Sequence, residues 1–205
     1  MSSEPNSADT ARPDYTERLQ RLESAWWKRL LNVQTPYRWN LQRLQLGFTL
    51  DVGCGVGRNL INLDGNGVGV DHNQTSVAEA RSRGLTAMTP DDFAASEYAR
   101  PGRFDTLLLA HVVEHMSAAE GDKLLQAYLP FVRTGGRIVV ICPQVAGYRS
   151  DDTHVRFLDF AAITQHLTNA GITVERRFSF PFPAPAGRVF RYNEFVVVGR
   201  LPSRP

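Results

Sequence analysis

The sequence predicts an α/β fold, a mainly parallel Rossmann-like sheet with helices on both faces. Three observations carry that expectation: short apolar runs alternate with amphipathic helical stretches, the loops between them are short, and glycines follow the first apolar run at once. A chain of 205 residues is most economically one domain. It is large enough to bury a full core without staples.

In order, apolar residues at Tyr15, Leu19, Leu22, Trp26 and Leu30 have helical spacing, and a second amphipathic piece covers Pro36 to Leu46. Phe48 to Val52 is a buried strand running into GCGVGRN, and Val68 to Asp71 is the next. A helix starts near Thr75. Leu85 to Met88 is a third strand, and Asp91 to Ala99 a short helix. Phe104 to Ala110 is nearly all apolar, as a strand covered on both faces requires. Ser117 and Glu120 form a capping box for a helix holding Leu124, Leu125, Tyr128 and Leu129. Arg137 to Cys142 is strand five, and a polar loop then leads to a helix from Phe157 to Ala170. Ile172 to Phe180 and Val189 to Gly199 are the last strands.

Composition excludes several classes. A hydrophobic fraction of 42% and a charged fraction of 21% are those of a soluble globular protein. A net charge of +2 with no basic run argues against a nucleic-acid partner. No apolar stretch approaches the ~18 residues of a membrane span. Residues 1–12 are polar and lack the features of a signal peptide, so a disordered tail and a cytoplasmic location are expected. Cys54 and Cys142 end strands two places apart, ~9–10 Å, too far to bridge.

In such a sheet ligands bind at the carboxyl ends of the strands. Asp51, Asp71, Asp91-Asp92, the string HVVEH and the 143–154 loop all fall there. Gly53, Gly55 and Gly57 after the first strand permit positive φ and a close approach of ligand to main chain. Arg58 stands where the dinucleotide fingerprint has its last glycine, which counts against NAD. Asp71, at the end of the second strand, can accept hydrogen bonds from both hydroxyls of a ribose.

HVVEH, from His111 to His115, matches the H-x-x-E-H zinc-peptidase pattern. That chemistry needs a helix to bring both histidines onto one face. Here the string follows an apolar strand, and the next helix has its own cap at Ser117, so a connecting loop is expected instead.

The set Asp51, Gly53, Gly55, Gly57 and Asp71, with the strand-four run FDTLLLAHVVEHM, resembles the class I S-adenosylmethionine-dependent methyltransferases from Phe48 to Gly199. The resemblance implies that family's seven-stranded sheet with a reversed last strand in a domain at 47–205, and an N-terminal helical lid at 13–46. It also implies S-adenosylmethionine held by the glycine loop, Asp71 and His72, an adenine site at Asp91, Asp92 and Phe93, and Ala110 bordering the methyl donor. The interval from Gly57 to Asp71 leaves room only for a brief first helix.

Methylating a hydroxyl requires a base that removes its proton, and His is the first candidate. The loop PQVAGYRSDDTHVRF offers His154 as base with Asp152 beside it, and Tyr148 and Arg149 as substrate contacts. On the same resemblance, the position of His111 borders the reacting centre, which makes it a further catalytic candidate. The cluster Asp151, Asp152, His154 alternatively holds a divalent cation such as magnesium, or an aspartate there caps the next helix. Arg191 and Tyr192 lie among aromatic residues suited to a sugar face. Asp151 to Arg156 resembles a segment of small actinobacterial sugar O-methyltransferases, including those serving methylated mannose polysaccharides. The expectation is O-methylation of a sugar or other small molecule, with a homodimer through Trp26 or Trp27 as an open possibility. An aromatic or quinone-like acceptor, and cofactor binding without catalysis, stay open as alternatives.

Overall fold

The computed structural model describes residues 35–202. The tail at 1–12 and the Tyr15–Leu31 helix with Trp26 and Trp27 lie outside the described residues. The elements are α1 (Thr35–Arg43), β1 (Thr49–Val52), α2 (Arg58–Asn62), β2 (Gly67–Val70), α3 (Gln74–Ser82), β3 (Ala87–Met88), α4 (Pro90–Ala94), β4 (Phe104–Ala110), α5 (Ala118–Tyr128), β5 (Val132–Pro143), α6 (Val145–Tyr148), α7 (Phe160–Asn169), β6 (Thr173–Phe180) and β7 (Glu194–Arg200).

The seven strands run in the order β3-β2-β1-β4-β5-β7-β6. The first five are parallel, and β7 is antiparallel to both β5 and β6. Strand order reverses between β1 and β4, which opens a crevice at the carboxyl ends. Reversal of β7 brings its first residue, Glu194, opposite Pro143, the last residue of β5. One face of the sheet, with Leu107, Leu109, Ile138 and Val140, packs under Leu125, Ile163 and Leu167 of α5 and α7. The other, with Leu108, Val139, Ile141 and Val196, packs against Leu41, Leu44 and Leu46, at and just after α1. Each fully buried leucine contributes on the order of 1.5–3 kcal/mol.

Local signals set the helix starts. Ser117 and Glu120 make the capping box at α5. Asn73 accepts from the amides of Thr75 and Ser76 to start α3. The cap of α7 is Asp159, bonded to the Ala162 amide at 2.9 Å, so neither Asp151 nor Asp152 has that task. The helix expected over Asp91 to Ala99 is shorter, Pro90–Ala94, and β5 begins five residues before Arg137 because its pairing with β4 continues past a bulge. Val113–His115 forms one 3-10 turn between β4 and α5, so HVVEH has no α-helix to align its histidines. Both cysteines are buried and free. No helix among the described residues is long and apolar enough to cross a membrane.

Candidate active site

A cavity of about 310 Å³ opens at the carboxyl ends of β1, β4 and β5. One wall is main chain. Gly53, Cys54, Gly55 and Val56 line it, and φ is 76° at Gly53. A Cβ at Gly53 would collide with Val112, so the loop tolerates no side chain there. Gly57, at φ 83°, does not line the cavity; its missing Cβ makes room for Leu85.

Asp71 pins this loop. Its Oδ2 accepts from the Gly55 amide at 2.7 Å and its Oδ1 from the Asn73 amide at 2.9 Å. The carboxylate therefore joins β2 to the glycine loop and still lines the cavity. His72 is half-exposed, with Nδ1 3.8 Å from Asp71. Asp51 lies behind the loop, fully buried, with one oxygen 3.4 Å from Asn59 Nδ2 and the other unpaired. Burial, with Asp71 nearby adding to it and Asn59 opposing, pushes its carboxyl up to about 7.

The expected adenine residues point elsewhere. Phe93 is buried in the core against Phe104, Tyr128 and Phe131. Asp92 is exposed and held by Arg81 at 3.1 Å, which keeps its carboxyl below the usual range. Neither Asp91, Asp92 nor Phe93 lines the cavity, whereas Arg58, Asn59 and Asn62 of α2 do.

The opposite wall consists of side chains. Ala110 and His111 line it, and His111 adopts φ 60° at the end of β4. Its Nε2 lies 2.8 Å from Glu194 and its Nδ1 3.4 Å from Glu114. Burial opposes a charge on this ring, yet the two carboxylates outweigh it and raise His111 to about 10. Because 45% of the side chain remains open, the opposing burial is partial and the upward direction stands. His111 is thus an imidazolium at neutral pH, a fixed positive charge rather than a base.

His115 and His154 complete this wall, their rings 4.8 Å apart. His115 Nδ1 donates to the Thr153 carbonyl at 3.1 Å, and His154 Nδ1 to the Tyr148 carbonyl at 2.7 Å. A carbonyl only accepts, so in the neutral ring each Nε2 carries a lone pair. Burial lowers the affinity of His115 for a proton, ahead of the opposing effect of Glu114.

Of the remaining expected residues, Arg191 and Tyr192 line the cavity. Tyr148 does not; it stacks on His154 at 5.3 Å. Arg149 and Asp152 are exposed outside the cavity. Asp151 lines it, but its Oδ1 is taken by the Thr153 amide and hydroxyl. The expected cation cluster of Asp151, Asp152 and His154 is therefore not assembled. Tyr37 of α1 also lines the cavity and donates to the Tyr192 carbonyl at 2.6 Å.

A wider depression of about 670 Å³ lies along the start of edge strand β6, beside Thr164, Thr168 and Arg176. It lacks both the glycine loop and the histidines that line the smaller crevice.

Residues 49–136 match the family model described as a methyltransferase domain. Solved structures with the same fold include a magnesium protoporphyrin IX methyltransferase from Synechocystis PCC 6803 with S-adenosylhomocysteine bound (15% identity, 94% of this chain and 97% of that one, TM-score 0.66). Another is the methyltransferase in a Haloferax volcanii complex with the Trm112 methyltransferase activator (14%, 98% and 100%, 0.67). A third is an S-adenosylmethionine-dependent methyltransferase from Archaeoglobus fulgidus (16%, 83% and 98%, 0.59). No curated protein sequence gives a significant match. The fold is the one that class I S-adenosylmethionine-dependent methyltransferases share, and the reversed strand expected for it is β7.

The sequence reading did not single out Tyr37, Arg58, Asn59, Asn62 or Glu194 for the site. A signal existed for Glu194, because a reversed last strand must begin where the parallel strands end. For Arg58 and Asn62, i and i+4 spacing after the glycine loop puts both on one helix face.

Proposed function

We propose that the protein transfers the methyl group of S-adenosylmethionine to a hydroxyl of a small molecule, a sugar or oligosaccharide by preference. The observation that carries this reading is one cavity with two unlike walls. Main-chain glycines and Asp71 form one, and His154, Arg191 and Tyr192 stand on the other.

The reaction is an in-line displacement. The acceptor oxygen attacks the sulfonium methyl carbon, the C–S pair returns to sulfur, and the hydroxyl proton must leave. Holding both partners aligned in a shielded cavity supplies much of the rate. His154 is the proton acceptor in this reading, since its Nδ1 is committed to the Tyr148 carbonyl and its Nε2 keeps the lone pair. His111 supports the wall as a charged group, and its carboxylate partners keep it protonated. Tyr192 and Arg191 offer a ring face and a donor, which suit the CH face and hydroxyls of a sugar. Tyr37 reaches over the same mouth, which supports the lid assignment for this part of the N-terminal segment.

The test is methyl transfer from labelled S-adenosylmethionine to a panel of acceptors, mannosides first, then other sugars, then phenols and quinols. Methylated glycosides as the main product support the reading. Labelled phenols alone would replace it with the aromatic alternative, and cofactor binding without any product would leave a binding protein.

A further inference from the structure

We propose that Glu114, His115 and His154 form a binding site for one divalent metal ion of the zinc class, and that occupancy withdraws His154 from proton transfer. One donor atom from each of the three lies within 4.8 Å of the others. Both histidines line the cavity, so the position they share opens toward the acceptor.

Three observations support a metal rather than a plain packing cluster. Both rings donate Nδ1–H to a main-chain carbonyl, which fixes the tautomer and leaves each Nε2 with its lone pair. Metal-ligating histidines are oriented by this arrangement. Second, Glu114 is fully buried, with Oε1 3.4 Å from His111 Nδ1 and Oε2 without a hydrogen-bond partner among the described residues. A buried carboxylate oxygen left unpaired is costly unless a donor or a cation meets it. Third, no arginine or lysine among the described residues forms an ion pair with Glu114.

The donor set selects the ion. Two imidazole nitrogens and one carboxylate suit zinc, cobalt or nickel, whereas magnesium prefers an oxygen octahedron. Tetrahedral zinc bonds of ~2.0–2.1 Å place ligands roughly 3.3 Å apart, so side-chain rotations of about an ångström close the site. HVVEH thus supplies Glu114 and His115 without its own helix, and His154 takes the place of a second histidine in the string. The effect on catalysis, though not the binding, rests on His154 being the base of the proposed reaction.

The test titrates untagged, metal-free full-length protein with cobalt(II) alone, read by its visible absorption, with thermal melting to confirm folding. One cobalt per chain is expected. Its affinity should fall at least tenfold in His115→Ala and His154→Ala, and in Glu114→Gln where that variant folds, while the exposed Asp152→Asn leaves it unchanged. No cobalt spectrum, or one unaltered in both histidine variants, overturns the site. Zinc added to active enzyme should slow methyl transfer, and His115→Ala, which keeps His154, should abolish that slowing; zinc that binds without slowing the enzyme overturns the second half. S-adenosylhomocysteine titrated into the same samples separates the two readings. Its failure to bind sinks the methyltransferase, not the metal site.

Discussion

The two walls of the cavity are built from different materials. One wall is backbone: Gly53 and Gly55 in left-handed conformations, fixed by Asp71 through the Gly55 amide. The other wall is assembled mainly from side chains drawn from distant parts of the chain, with His111 meeting Glu194 at 83 residues' separation and Tyr37 meeting Tyr192 at 155. A backbone site must be written locally, because it needs particular residues at consecutive positions. A side-chain site needs only that the fold bring its members together. The first should therefore fail as a unit when one residue changes, and the second should lose individual tasks.

Breaking the backbone wall should have the largest effect. Gly53→Val puts a β-branched residue at positive φ and against Val112. Calorimetry should show no binding of S-adenosylhomocysteine, and the melting temperature should drop. On the other wall, His154→Ala should lower kcat by about 10²–10⁴-fold, the range for a lost general base. Cofactor affinity should stay within about twofold; a parallel loss of affinity would mean that the two walls are not separate.

Asp51 sharpens the comparison from behind the glycine loop. Its folded-state pKa of about 7 is raised from 3.8, so between those values the native state binds the extra proton. Stability should then fall as pH rises from about 4 to 7, by on the order of 4 kcal/mol from this group. Thermal melts of Asp51→Asn should lack that part of the slope, and identical slopes in both proteins would contradict the burial argument. At the substrate end, Tyr192→Ala should raise the acceptor KM about five- to tenfold and leave cofactor binding alone. The smallest effect belongs to neither wall: Ser117→Ala removes the α5 cap and should cost about 1 kcal/mol in denaturant unfolding, with kinetics unchanged.

The same division decides what could be read from sequence. β4 lies where its apolar run predicts, and the capping box at Ser117 is formed, because both are set by neighbouring residues. The glycine loop and Asp71 were readable for the same reason. Phe93 was not: five residues of α4 give no face from which to infer direction, and the core between β4 and α5 claimed the ring. Asp151 and Asp152 looked like a cap or a cation cluster, but α7 begins later, at Phe160, with Asp159 as its cap. The 143–154 loop holds a short helix, Val145–Tyr148, that turns Tyr148 onto His154 rather than into the cavity. Glu114, one position of the HVVEH string, gains meaning only beside His115 and His154.

The most direct test of the central claim is calorimetric titration of S-adenosylhomocysteine into the wild-type protein and Asp71→Ala. The account predicts one-to-one binding for the wild type, weakened about 100-fold or more in the variant. That loss corresponds to roughly 3 kcal/mol, as expected when a charged acceptor leaves two amides unpaired and a ribose unheld. No binding to the wild type, or equal binding to both proteins, would contradict it.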